Sequence, residues 1–363
     1  MNAAHVDALI VGAGPVGLTM AAALTHHGLT YRIIDKAAAP SDKSKAFAVW
    51  CRTMELLADV GLADTFVQNG LKLAGASIYA EGKRAVHLDL TSDESAYGFG
   101  LMIPQSKTER LLTEHLAEHG VAVERLVELV GFSEQADSVV ATLRHADGQD
   151  EQFRAPWLIG CDGAHSAVRH ALGLEFRGYA EPSTWMIADV RITGPLAANE
   201  VSAFWREAGV IVFFPYQSDR FRIIADLGVD QDATSQVEVT LALAQEVVDD
   251  RGPGGLELSD PTWLTTFRIN ERKVDQYRRG RVMLAGDAAH IHSPAGGQGM
   301  NTGMQDAFNL AWKLALVQTG KSPADPLLGS YSQERSDVGE QVLKNAERFT
   351  TLATLHNPVA LWL

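Results

Sequence analysis

The 363-residue sequence predicts an α/β fold: a parallel sheet, a mostly β section inserted into it, and a helical C-terminal segment. Three observations carry that expectation. A short apolar strand, an Ala- and Leu-rich helix and a second strand follow one another with tight connections at 6–35. Two more short apolar runs, at 157–162 and 281–286, read as buried strands far down the chain. Between them, from about 179 to 270, aromatic and β-branched residues are concentrated.

Taken in order, residues 6–11 read as a strand, 14–27 as a helix and 30–35 as a strand, one βαβ unit of the kind that builds parallel sheets. A helix with Met54, Leu56 and Leu57 is expected at 52–59, stopping before Gly61. The alternating stretch 71–99 reads as strands that leave the first domain. Leu111, Leu112 and Leu116 share one face of a helix at 104–119, and 121–153 reads as a β-meander turning at Asp147-Gly148. The β-rich section carries one helix near 236–249. After 281–286 comes a glycine-rich loop at 295–303, a long helix through Trp312 and Leu316, and a polar-faced helical stretch at 328–355. The domains expected are therefore discontinuous: a first domain from 1–70, 100–178 and 276–320, a β domain from 71–99 and 179–275, and C-terminal helices at 321–363.

Apolar residues make up 46% and charged residues 21%, which is ordinary for a globular protein with a real core. Against 45 acidic residues there are 31 basic ones, and the net charge of −14 excludes a general nucleic-acid binder, which needs a basic face. Cys51 and Cys161 are the two cysteines, far apart, and read as reduced thiols; no metal-ligand spacing is present. The N-terminus lacks a basic n-region, and the apolar stretches at 8–11 and 16–24 are too short to span a bilayer, so a cytoplasmic location is expected and no membrane partner.

The segment Gly12-Ala13-Gly14-Pro15-Val16-Gly17 joins the first strand to its helix. Gly12 permits a tight turn, Gly14 a close approach of backbone to a pyrophosphate, and Gly17 close packing of helix on strand. N–H groups at the helix start and the helix dipole favour negative charge there. Asp35 ends the second strand at a distance that suits a carboxylate accepting from a ribose hydroxyl, with Lys36 next to it. These features predict a Rossmann-like dinucleotide site and leave NAD and FAD both open.

Two further motifs decide between them. Residues 160–170 read Gly-Cys-Asp-Gly-Ala-His-Ser-Ala-Val-Arg-His, and 281–290 read Arg-Val-Met-Leu-Ala-Gly-Asp-Ala-Ala-His. With the glycine loop they resemble the three fingerprints of the class A flavoprotein aromatic monooxygenases, of p-hydroxybenzoate hydroxylase and phenol hydroxylase type. The resemblance runs from residue 6 to about 350 and implies a GR2-type FAD-binding domain with an inserted substrate domain. It implies that Asp287 accepts from the ribityl chain of FAD. It implies too that the backbone at Gly299, Met300 and Asn301, after Pro294, Gly296 and Gly297, lies against the flavin ring. Helix-start N–H groups there would favour the anionic reduced ring. Asp162, with Ser166 and Arg169, corresponds to the motif linked to NADPH use, although a capped helix start with a structural Arg explains the last two equally well. Lys45 stands where the family often has Arg near the pyrophosphate, which keeps the charge and loses the bidentate fork. Arg52 opens a family-like Arg-Thr-Met-Glu run, and Gln105 matches a position on the flavin side of the cofactor.

The resemblance implies a cycle in which NADPH (or NADH) reduces FAD, O₂ adds at flavin C4a, and the hydroperoxide transfers one oxygen to an electron-rich ring, phenolic or polycyclic and polyketide-like. Phenol hydroxylases carry an acid just before the Arg-Thr-Met-Glu run; Phe47 stands there instead, so no substrate-activating base is assigned. Phe47, Trp50, Trp185, Phe204, Phe213, Phe214, Pro215, Tyr216 and Pro294 are the candidates for an aromatic pocket, with core packing as the competing reading for most of the aromatics. A flavin reductase or halogenase on the same fold and a non-catalytic FAD- or ligand-binding protein are the alternatives. The Trp-x-Trp-x-Ile-Pro run of tryptophan-type halogenases is missing. The expected partners are an aromatic small molecule and O₂, with a homodimer as an option. Many relatives continue into a thioredoxin-like domain, and the apolar end at 359–363 reads as a shortened member or a piece of a longer chain.

Overall fold

The computed structural model describes residues 6–41, 43–229 and 237–354, which form four sheets with helices packed around them. The first sheet has the strand order Arg278–Arg279, Val282–Leu284, Trp157–Gly160, Ala8–Val11, Tyr31–Asp35, Glu124–Arg125. All its ladders are parallel except the pair at the Arg278–Arg279 edge. Ala8–Val11, Trp157–Gly160 and Val282–Leu284 are buried at every position, which is why they read as continuous apolar runs rather than alternating ones. From Ala8–Val11 the chain moves to one side, to Tyr31–Asp35, and later returns to the other side, to Trp157–Gly160. That reversal opens a crevice at the carboxyl ends of the two strands, the place where open α/β sheets take ligands.

The helix Pro15–His26 has Pro in its first turn, where no N–H is needed, and buries Gly17 through Leu24. It packs against the helices Gln105–Glu118 and Gly299–Gln318. The meander expected at 121–153 forms from Glu128–Glu134, Val139–Arg144 and Asp150–Ala155. Arg32 ties it to the first sheet by bidentate bonds of 2.7–2.9 Å to Glu124 and Glu151.

The largest sheet has eight strands, ordered His290–Ile291, Glu257–Lys273, Arg177–Thr193, Arg220–Val229, Gly209–Pro215, Glu200–Arg206, Gly75–Ala80, Lys83–Asp89. Its ladders are antiparallel except where Gly75–Ala80 runs parallel to Glu200–Arg206. The helix Leu241–Arg251, capped by Thr240, covers one face over a core that includes Met186, Phe204, Phe213 and Ile223. It starts later than the stretch 236–249 suggests, and residue 236 lies outside the described residues. Leu71–Leu73, the first strand within 71–99, stands outside the eight-stranded sheet. It pairs with one side of Gly100–Met102, whose other side pairs with Ala48–Val49, in a separate three-stranded sheet. The chain closes on the helices Gly299–Gln318 and Ala324–Thr354, the second interrupted at Asp325. The apolar end 359–363 lies outside the described residues. Among the described residues no helix is long and apolar enough to cross a membrane.

Candidate cofactor and substrate site

The glycine loop sits at the crevice. Gly12 has φ +99°, a conformation that side chains rarely adopt, and a Cβ there would press into the Cys161 and Asp162 backbone, 2.8 Å from the Asp162 Cα. A Cβ on Gly17 would collide with the carbonyl oxygen of Gly12. A Cβ on Gly14 would meet nothing within 4 Å, so that side of the loop is open. The first intrahelical bond is Leu18 N–H to Gly14 O at 3.0 Å, which leaves the N–H groups of Val16 and Gly17 ahead of it, facing no helical acceptor. Asp35 accepts from Ala13 N–H at 2.7 Å and Ala37 N–H at 2.8 Å, so the same carboxylate shapes the loop and borders the crevice. Lys36 is exposed.

The motif around Asp287 meets this loop directly. A Cβ on Gly286 would lie 2.7 Å from Val16 Cγ2, and one on Gly303 2.6 Å from the same atom, so Val16 fits into a notch that only glycines leave. Asp287 makes no hydrogen bond among the described residues. Solvent reaches it, while the surrounding protein desolvates it enough to raise its pKa, and the charges of His290 and Lys45 pull that pKa back. Underneath, Asp306 is fully buried and takes three bonds: Gly286 N–H at 3.0 Å, His290 Nε2 at 2.7 Å and Arg335 Nε at 2.6 Å. Burial raises its pKa, but the His290 and Arg335 charges and hydrogen bonds outweigh that and leave it lowered. His292 stacks parallel on His290 at 5.9 Å; burial first, and then the charge of His290, lowers its pKa to about 4, so it is neutral.

The loop that follows is bonded to the segment 46–50. Asn301 accepts from Trp50 N–H at 2.9 Å and donates to Ala48 O at 2.8 Å and Gly297 O at 2.9 Å. Trp50 Nε1 donates to Gly296 O at 3.0 Å. Thr302 N–H to Gln298 O, 2.8 Å, is the first intrahelical bond, so the N–H groups of Gly299, Met300 and Asn301 precede it, unclaimed by the helix. Gln105 likewise uses its amide on the protein, accepting from Ala46 N–H at 3.2 Å and donating to Glu109 at 2.8 Å.

The aromatic candidates separate into two groups. Phe47, Trp50, Phe214 and Tyr216 are half-buried and pack in one cluster with Leu71, Leu73 and Met102, with Phe47 and Phe214 edge to face at 5.3 Å. Pro294 is exposed. Trp185, Phe204 and Phe213 lie in cores: Phe213 is fully buried with Phe204 under the helix Leu241–Arg251, and Trp185 packs with Val210 and Ile269. Pro215 is buried at the end of its strand. Adjacent strand residues face opposite sides, so Phe213 and Phe214 part company by geometry alone. Arg52 is exposed and paired with Glu55 at 2.9 Å. Ser166 caps the helix Ala167–Ala171, and buried Arg169 donates to Ala288 O and Ala164 O, tying the second motif to the third. Asp162 accepts from Val168 N–H at 3.2 Å through Oδ2, while its buried Oδ1 has no partner among the described residues.

One buried pair went unnoticed in the sequence. Arg222, 2% exposed, makes two 2.7 Å bonds to Asp189 and a 3.0 Å bond to Lys45 O, and its guanidinium lies over Phe47 at 4.5 Å. It fastens the eight-stranded sheet to the segment that carries Lys45 and Phe47. Neither position stands out in the sequence: the same strands carry Arg220, Asp226, Glu181 and Arg191, and only the packing separates the buried pair from these.

A parallel sheet with an open crevice, two helix starts with free N–H groups and an unpartnered carboxylate between them define a protein that takes a long nucleotide cofactor. A family model described as "FAD binding domain" matches residues 5–346, and the chain belongs to that family, among the aromatic flavin monooxygenases of class A type. It is 41% identical over 355 residues to 6-methylpretetramide 4-monooxygenase of Streptomyces rimosus, with 97% of this chain aligned and 63% of that protein's length spanned. Among solved structures it is similar to the anhydrotetracycline hydroxylase of Streptomyces rimosus, with a TM-score of 0.80, 33% identity, and 96% of this chain and 70% of that one covered. It is also similar to aklavinone-11 hydroxylase in its ternary complex with FAD and aklavinone, with a TM-score of 0.83, 27% identity, and coverage of 98% and 70%.

Proposed function

We propose that this chain is an FAD-dependent monooxygenase that consumes NAD(P)H and O₂ and adds one oxygen atom to an aromatic ring, phenolic or of the polycyclic polyketide kind. One observation carries the reading. The glycine loop, the unpartnered Asp287 and the start of the helix Gly299–Gln318 converge on one crevice, beside a half-buried aromatic cluster from a different sheet. Relatives named as a 6-methylpretetramide monooxygenase, an anhydrotetracycline hydroxylase and an aklavinone hydroxylase support the substrate class.

In this reading the N–H groups of Val16 and Gly17 hold the pyrophosphate, with Lys45 and Arg52 adding positive charge. Asp35 takes the ribose, Asp287 the ribityl chain, and the N–H groups of Gly299, Met300 and Asn301 take negative charge on the ring. FAD, when bound, supplies the electron transfer and oxygen activation. The chain's own tasks are to orient substrate and to exclude water. Phe47, Trp50, Phe214 and Tyr216 form the apolar wall for the substrate ring, with Pro294 at its margin. Burial first, then the charge of Asp189, raises the pKa of Tyr216. The phenol stays protonated at neutral pH and serves as a hydrogen-bonding group rather than a base. Asp162, with a buried free oxygen beside Gly12, is assigned to the nicotinamide co-substrate. The proposed division is a cofactor domain from 1–70, 100–178 and 276–320, with the substrate domain from 71–99 and 179–275.

The test is a screen of phenols and polycyclic aromatics for stimulated NADPH consumption by the FAD-loaded chain, with mass analysis of products. A stimulating compound converted to a product with one added oxygen supports the reading. Uniform, unstimulated NADPH oxidation with no oxygenated product across the panel overturns it.

A further inference from the structure

Arg125 stands on the edge strand of the first sheet, beside Asp35. It ends the short strand Glu124–Arg125, and it is the register partner of Asp35 in a parallel ladder, so both side chains leave the sheet on the same side. Its Nη1 stands 3.6 Å from Asp35 Oδ2, close enough for an ion pair and too long for a hydrogen bond. Both side chains are largely covered, at 18% and 17% exposure. Behind them lies Glu109, 3% exposed; burial raises its pKa first, Gln105 and the charge of Arg125 lower it, and the charge of Asp35 raises it again. The guanidinium therefore pairs with Asp35 and lies within charge reach of Glu109.

Its hydrogen bonds are the telling feature. A guanidinium has five N–H donors in a rigid fork, and that of Arg125 makes no hydrogen bond among the described residues. Arg32, on the neighbouring strand, bonds Glu124 and Glu151 through four contacts. Arg222 and Arg335 likewise use their donors on protein acceptors. A covered guanidinium with an open fork, beside a carboxylate that already holds the glycine loop through Ala13 N–H, is built to meet acceptors from outside the chain.

We propose that Arg125 is a specificity-determining residue for the adenosine end of the dinucleotide, recognising the oxygen and nitrogen acceptors of that half of FAD while holding Asp35 in place. The proposal rests on the FAD reading above and adds to it a means of distinguishing FAD from FMN, which lacks the adenosine half. A residue that merely supports the fold weakens both flavins alike; a residue that reads adenosine weakens only FAD.

The full chain, freed of flavin, is titrated with FAD and with FMN and followed by flavin fluorescence. In the parent, FAD binds more tightly than FMN. In Arg125→Met the FAD dissociation constant rises at least tenfold and the FMN constant stays within twofold. Arg125→Lys keeps a cation beside Asp35 and loses the fork; it gives an intermediate FAD constant, and it decides the question if the Met variant does not fold. Unchanged FAD affinity, or equal weakening of FAD and FMN, overturns the role of Arg125 and leaves the FAD reading intact. A parent chain that does not prefer FAD to FMN defeats the FAD reading itself and the proposal with it.

Discussion

Replacing Asp306 with Asn tests the platform beneath the cofactor loop. Asp306 is fully buried, Arg335 is 9% exposed, and the carboxylate also holds His290 and the N–H of Gly286, the residue before Asp287. Desolvating such a pair offsets much of its Coulomb attraction, so the intact pair adds little net stability, but removing one partner strands the other and costs about 3–5 kcal/mol. Asn keeps an acceptor oxygen for one of the three donors, which places the expected loss near the lower end, about 3 kcal/mol. The loss appears in urea unfolding followed by circular dichroism, and FAD affinity falls with it, since Gly286 is no longer anchored. Adding Arg335→Met to Asp306→Asn removes the stranded cation and recovers part of the loss. The pH dependence has a definite sign. Because the folded pKa lies below the ordinary carboxylate value, the contribution is complete above about pH 4 and disappears as pH falls through the folded pKa. The gap between parent and Asp306→Asn is thus flat from pH 7 to 5 and closes in stronger acid. A variant within about 1 kcal/mol of the parent at pH 7, with unchanged FAD affinity, refutes this reasoning.

Other sites give independent tests. Gly17→Ala drives a Cβ into the Gly12 carbonyl, with an expected cost of about 1–3 kcal/mol and loss of retained flavin on gel filtration. Arg222→Met strands buried Asp189 and is expected to cost about 3 kcal/mol by urea unfolding, whereas Arg222→Met with Asp189→Asn recovers most of it. His292 has a folded pKa of about 4, below its unfolded value, so its contribution is complete above about pH 6.5 and falls by roughly 3 kcal/mol towards pH 4. His292→Gln removes that part of the pH slope, which urea titrations at several pH values measure.

The cofactor half was legible because its constraints are local. Gly12, Gly17 and Asp35 are fixed by turn geometry and close packing within one βαβ unit, and the apolar runs at 157–162 and 281–286 announce strands covered on both faces. The substrate half was not. The parallel pairing of Gly75–Ala80 with Glu200–Arg206 joins segments more than a hundred residues apart, and nothing local encodes it. The aromatic candidates suffered for the same reason. Gly209–Pro215 is covered on both faces, by the helix Leu241–Arg251 on one and the Phe47 cluster on the other. Alternation could separate Phe213 from Phe214 but could not say which of them faces the cleft. Arg222, Asp189 and Arg125 are not legible in the sequence, because charge in a β-rich run reads as surface until the strand order shows what covers it.

Under the proposed function this crevice directs one atom of O₂ onto an aromatic ring. The most direct measurement follows a stimulating aromatic compound with the FAD-loaded chain and NADPH under ¹⁸O₂ in ordinary water, reading the product by mass spectrometry. The account predicts a product carrying a single ¹⁸O atom, with NADPH consumed in step with its formation. A product that takes its oxygen from water, or NADPH consumed with only peroxide formed for every aromatic tested, contradicts it.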